Sequence, residues 1–169
     1  MEDCKECQVP MKEVIRVRGF EVVSDAHRKF PELEIKLPKR MTKNAMAYDL
    51  FSNETVCIRP GHSYQFATDV KAYMPENEGA IMNVRSSMGF KRNLMLINTQ
   101  GWIDSDFYCN PDNDGNIGIN LKNMGDVSQT IEAGERIAQI MFVTFGVADK
   151  DDEDEKEDRV GGTGSTGTK

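Results

Sequence analysis

Apolar and polar positions alternate with period two over much of the chain. Leu33, Ile35 and Leu37 are separated by charged residues, and Val56 and Ile58 form a shorter pair. Tyr64, Phe66, Thr68, Val70 and Ala72 make one continuous series, and Ile117, Ile119 and Leu121 another. Successive side chains of a strand point to opposite faces, so such runs predict half-buried strands of antiparallel sheets. Arg59-Pro60-Gly61 and the stretch NPDNDGN at 110–116 carry turn residues, the second reading as a hairpin loop. Local helix is expected only over Ser86–Arg92, with Ser86 or Ser87 as its N-cap. The expected fold class is all-β, a sandwich or barrel with one short helix.

Charge refines this picture. The 169 residues suffice for one domain with its own core, and they carry 21 Lys and Arg against 28 Asp and Glu, a net −7. That balance argues against a basic nucleic-acid-binding surface. Residues 149–158 (DKDDEDEKED) hold eight acids and two lysines, net −6, which leaves −1 for the rest of the chain. The run reads as a solvated linker. The segment that follows it, RVGGTGSTGTK at 159–169, has too little apolar surface to join a core; it either stays disordered or orders on another surface.

The first ten residues, MEDCKECQVP, lack the apolar stretch of a secretory signal. The most apolar run, Ile137 to Ala148, is twelve residues long and too short to span a bilayer. A soluble, cytoplasmic protein without a membrane partner is expected. Cys4, Cys7, Cys57 and Cys109 are expected as free thiols, because a lone Cys-x-x-Cys pair lacks the remaining ligands of a structural zinc.

Several segments carry candidate chemistry. The Gly-rich end could cradle phosphate through its backbone N–H groups, with Arg159, Ser165 and Thr166 as further donors, although it fails the P-loop pattern. Asn110-x-Asp112-x-Asp114-Gly115 begins like a calcium loop, but its twelfth position is Leu121 where a bidentate Glu is required. Arg85-Ser86-Ser87 joins a guanidinium to a helix start, a natural place for an anion. Gly101-Trp102-Ile103-Asp104 sets a carboxylate at a strand or turn edge.

The order of these segments is more informative than any one of them. Leu37-Pro38-Lys39-Arg40 through Ala47-Tyr48-Asp49-Leu50 comes first, then Arg85-Ser86-Ser87-Met88-Gly89. Asn98-x-x-Gly101-Trp102-Ile103-Asp104-Ser105-Asp106-Phe107 follows, then Gly134-Glu135-Arg136-Ile137-Ala138-Gln139, then Gly161-Gly162-x-Gly164-Ser165-Thr166-Gly167. In order and spacing they resemble the five motifs of the trimeric dUTPases, the deoxyuridine triphosphate nucleotidohydrolases, over roughly residues 33 to 169.

The resemblance implies a jelly-roll-like, distorted β-barrel assembled as a homotrimer that exchanges its C-terminal arms. Motifs one, two and four of each site would come mainly from one chain, motif three from a second and motif five from a third. Residues 1–32 would be an N-terminal extension, 33–148 the barrel, 149–158 the acidic linker and 159–169 the arm that closes over nucleotide. The implied reaction is hydrolysis of dUTP to dUMP and pyrophosphate, with Asp104 activating a water for attack on the α-phosphorus and Gln139 holding that water. Arg85, Ser86 and Ser87 would bind the phosphates, and Asp49 would brace Arg85 or the hydrated metal. Mg2+ would travel with the triphosphate instead of occupying a protein cage. Uracil would be read by amide and backbone groups of Asn98, Gly101, Trp102 and Ile103. Phe107 or its neighbour Tyr108 would pack under the deoxyribose, Phe107 being preferred by register. Arg159, Gly162, Thr163, Gly164, Ser165 and Thr166 would close the site.

Four positions depart from the motifs. Ala47 stands for a common Gly, residues 108–114 are additional, Arg159 lies one residue nearer the glycines, and Thr163 replaces the Phe that stacks over uracil. Two rivals follow. A dCTP deaminase shares the barrel, but there is no Glu between Ile97 and Gln129, where that chemistry needs one. A non-catalytic regulator that binds a protein partner would have no use for Arg85, Asp104 and Gln139 together.

Overall fold

Short antiparallel strands dominate the computed structural model, which describes residues 16–151, 156, 159, 161 and 162. Among these residues eleven strands occur: β1 (Gly19–Val22), β2 (Tyr48–Phe51), β3 (Val56–Ile58), β4 (Ser63–Ala67), β5 (Val70–Tyr73), β6 (Glu78–Val84), β7 (Leu94–Leu96), β8 (Gly101–Asp104), β9 (Gly118–Asn123), β10 (Gln129–Ile131) and β11 (Arg136–Thr144). One helix, α1 (Ser86–Arg92), follows β6. The strands form sheets in the orders β2-β11-β6-β8, β4-β9-β7, β1-β5 and β10-β3, all pairs antiparallel. This is the jelly-roll-like β-barrel expected.

Inward positions fill one core. Phe66, Ile119, Leu121, Ile131, Ile137 and Ile140 are fully buried, and Leu50, Met88 and Leu96 pack with them. Each such side chain contributes roughly 1.5–3 kcal/mol of transfer free energy. Truncating Leu121 or Ile119 to Ala would therefore cost about 2–5 kcal/mol, cavity included.

Some expectations are corrected. The series from Tyr64 to Ala72 is two strands, not one. Asp69 between them has φ 55, and its carboxylate accepts the N–H groups of Lys29 and Phe30 at 2.9 and 2.8 Å. The chain turns a barrel corner there, and residues 68 to 72 are buried on both faces. Leu33, Ile35 and Leu37 form no strand. Alternation requires a neighbour to pair with, and this segment meets β2 only through a single bridge, Lys39 to Asp49.

The boundary placed at residue 32 also falls inside the folded body. β1 pairs with β5 from Gly19–Tyr73 to Val22–Val70. The cap of α1 is Arg85, in extended conformation and without a side-chain capping bond, so neither Ser86 nor Ser87 fills that role. Residues 110–116 are a series of turns, but they do not close a hairpin: β8 pairs with β6, while β9 pairs with β4 and β7. The loop carries the chain from one sheet to another.

Candidate active site

The central strand β6 organises the candidate residues into two groups. On one side β11 pairs with it, setting Gln139 opposite Asn83; on the other β8 pairs with it, setting Asp104 opposite Gly79. Arg85 continues β6 into α1.

The first group surrounds Asp49, which is 5% exposed and so needs compensation for its charge. Arg85 Nε donates to Asp49 Oδ1 at 3.1 Å, and Arg136 donates to Oδ2 at 3.2 Å. A shift in the β2–β11 register between Arg136 and Ala138 matters here. Arg136 and Gln139 are three residues apart and would face opposite sides of a regular strand. With the bulge, Arg136 lies opposite Phe51 and Gln139 opposite Asp49, so both share the face of Asp49. Of the two roles open to Asp49, the structure supports bracing of Arg85. Arg136 was not among the residues expected here, although it lies within the segment Gly134 to Gln139.

The second group lines a cavity of about 420 Å3. Asn98, Gly101, Trp102, Ile103, Asp104, Phe107, Arg159 and Gly162 all border it. Asn98 begins the tight turn between β7 and β8, where Thr99 has φ 65 and Gln100 N–H donates to Asn98 O at 2.7 Å. Gly101 lets β8 approach β6 closely: a Cβ there would stand 2.9 Å from Met82 Cε and 3.2 Å from its Cβ. The alternation of β8 turns Gly101 and Ile103 inward and Trp102 and Asp104 outward. Arg159 donates through Nε to Asp106 Oδ1 at 2.7 Å and forms an ion pair with Asp104. Both carboxylates are more than half exposed, so this pairing is weak in water and open to exchange.

A family model for dUTPase matches residues 33–167. The chain belongs to the dUTPase family. It is 44% identical over 153 residues to the deoxyuridine 5'-triphosphate nucleotidohydrolase of Lactococcus lactis, covering 90% of this chain and 99% of that one. The enzyme of the same name from Clostridium tetani is 33% identical over 137 residues, covering 79% and 90%. Among solved structures, the dUTPase of Streptococcus mutans has a TM-score of 0.67 at 40% identity, with 78% of this chain and 98% of that chain covered. That of Staphylococcus bacteriophage 80alpha has 0.64 at 26% identity, covering 79% and 93%.

The two neighbouring aromatics meet different surroundings. Phe107 borders the cavity and Tyr108 does not. Tyr108 points the other way: its hydroxyl donates to Glu21 Oε2 at 2.6 Å, its ring meets Tyr73 edge-on, and Lys71 Nζ lies 4.9 Å from its centroid. Tyr108 is therefore withdrawn as a substrate contact. The additional loop behind it encloses the pair Lys71–Asp114, with Nζ to Oδ1 at 2.9 Å and both side chains nearly buried. Burial opposes the charge on Asp114, yet Ser24 N–H and Lys71 bring its pKa down to about 2. The loop also supplies Asn113 and Asn116 to the cavity wall. Thr163, Gly164, Ser165 and Thr166 lie outside the described residues.

Proposed function

We propose that the protein is a Mg2+-dependent dUTP diphosphatase whose sites are completed between copies of the chain in a homotrimer. One observation carries the shared site. Within a chain, Asp104 stands opposite Gly79, whereas Gln139 stands opposite Asn83 and Arg85 follows Val84. At about 3.3 Å per strand residue, those positions are roughly 13 and 20 Å apart along β6. A water held by Gln139 would lie out of reach of Asp104 of the same chain, which supports a site completed by a second copy. The family's enzymes, named for dUTP hydrolysis, support the chemistry.

In this reading Asp104 is the general base that takes a proton from the attacking water, and Gln139 orients that water through its amide. Arg85, fixed by Asp49, donates to the phosphates together with the hydroxyls of Ser86 and Ser87 and stabilises charge developing on their oxygens. Phe107 packs against the deoxyribose, while Asn98 and the backbone of Gly101, Trp102 and Ile103 read the base. Arg159 leaves Asp104 and Asp106 for the triphosphate, a stronger anion than two solvated carboxylates. The glycines from Gly161 onward then close over the nucleotide.

Among the described residues no three His, Cys, Asp or Glu side chains gather into a metal site, and Asp49 is already engaged by two guanidiniums. In this reading Mg2+ would arrive with the triphosphate and neutralise phosphate charge. No helix of the described residues is long and apolar enough to cross a membrane. We take the setting to be the cytoplasmic nucleotide pool, where the reaction supplies dUMP and limits uracil in DNA.

The test is pyrophosphate release from each deoxynucleoside triphosphate with Mg2+. Selective release from dUTP is expected, reduced about 10³-fold in Asp104→Asn. Equal hydrolysis of dCTP, or an active Asp104→Asn, overturns the reading.

A further inference from the structure

One polar group of the cavity wall has no assigned role. Along β9, Ile119 and Leu121 turn into the core and are fully buried, which directs Gly118 and Asn120 to the other face, where both line the cavity. Asn120 lies beside Gln65 of β4, and its backbone carbonyl accepts Ile97 N–H at 3.0 Å on the β7 side. It therefore sits beside the turn that carries Asn98. Its side-chain Oδ1 is buried and finds no hydrogen-bond donor among the described residues.

An amide at mid-strand is a poor choice on propensity and packing alone, since β-branched residues fit a pleated surface better. A buried carbonyl without a donor adds a further cost. Such an arrangement is explained when a ligand brings the donor. Leu96, Ile97 and Met82 also border the cavity and cannot donate through their side chains, and Gln65, the amide paired beside Asn120, does not donate to it. Among pyrimidines, uracil presents a ring imide N–H flanked by carbonyls; cytosine presents an unprotonated ring nitrogen at the same position. An acceptor held here therefore favours the first and repels the second. Rotation about χ2 of Asn is a soft, two-fold torsion, so the amide can turn its oxygen to the ligand.

We propose that Asn120 is a specificity-determining residue of this cavity, its side-chain carbonyl accepting the ring imide N–H of a uracil nucleotide. The proposal rests on the cavity being the nucleoside pocket. Backbone readers near Asn98 fix the base edge, and Asn120 adds a side-chain acceptor from the opposite sheet. Removing it then has an unusual signature: fold stability is retained or raised because an unsatisfied group is lost, while base selectivity falls.

The experiment is a titration of the assembled protein with dUMP, dCMP and N3-methyl-dUMP, followed by the fluorescence of Trp102, the chain's one tryptophan, which borders the cavity. Asn120→Val is expected to weaken dUMP binding about tenfold, the effect of one hydrogen bond, with dCMP binding no weaker or tightened and the melting temperature no lower. Methylation of N3 is expected to weaken binding to the native protein more than to Asn120→Val, because both changes remove the same contact. The methylated ligand tests the native protein even where the variant fails to fold. Native dUMP affinity in a folded Asn120→Val, or additive losses, overturns the role of Asn120 and leaves the pocket standing. Absence of dUMP binding to the native protein overturns both.

Discussion

The Tyr108 hydroxyl donates to the Glu21 carboxylate at 2.6 Å, tying the loop behind Phe107 to the first strand of the barrel. The bond raises the pKa of Tyr108 well above that of a free phenol and lowers that of Glu21, so neither group changes charge near neutral pH. Tyr108→Phe keeps the ring contacts and removes only this bond. We expect a loss of about 1 kcal/mol in urea unfolding. A higher KM for dUTP with kcat nearly unchanged is also expected, because Phe107 loses part of its support. Unchanged KM and stability would remove the link between the N-terminal strand and the sugar side of the pocket.

The pair Lys71–Asp114 stabilises the same loop from beneath. The folded pKa of Asp114, about 2, lies below its ordinary 3.8. The sign follows: the contribution is complete above the unfolded value and is lost as pH falls through the folded one. It amounts to roughly 2 kcal/mol. Asp114→Asn leaves Lys71 buried without its carboxylate and should cost about 3 kcal/mol at pH 7. Urea unfolding of both proteins at pH 7, 4 and 2.5 should show the gap narrowing toward the lowest pH. A gap independent of pH would contradict the assignment.

Asp49 acts on Arg85 through position. Asp49→Asn should lower kcat for dUTP by about 10², the scale of a displaced catalytic group. Arg136→Met leaves the Arg85–Asp49 pair in place and should lower it much less. Steady-state kinetics of the two variants distinguishes this order, and equal effects would mean that Asp49 serves both arginines alike.

Thr163→Phe should lower the KM for dUTP, since an aromatic ring on a base is worth about 1–3 kcal/mol where single-stranded binders have been measured. An unchanged KM would mean that the stacking contribution is already supplied by another residue.

How much of this was legible in the sequence varied with the physics. Alternation at Tyr64–Ala72 and Ile117–Leu121 appeared as strands because the apolar pattern of the sequence keeps period two across the corner at Asp69, where the chain itself is buried on both faces. The same alternation at Leu33–Leu37 misled, because a pattern records which residues alternate but not whether a partner strand is at hand. β1 escaped notice: GFEV is four residues long, half-buried throughout, and gains its place only from β5. The ordered motifs located Asp104, Arg85, Gln139 and Asp49. Their division into two distant groups was set by the register on β6, and the sharing of a face by Arg136 and Gln139 by a bulge, neither of which spacing reveals. The choice of Phe107 over Tyr108 needed the position of Glu21, eighty-seven residues earlier.

The central claim is a dUTP-hydrolysing site shared between chains, and it is tested by co-expressing two inactive variants. Asp104→Asn and Arg85→Ala should each release almost no pyrophosphate from dUTP alone. In mixed assemblies formed at equal amounts, a site drawing Asp104 and Arg85 from different chains is intact with a chance of one half times one half. About a quarter of native activity should therefore return. A mixture as inactive as its parents would show that both residues act from one chain and would contradict the account.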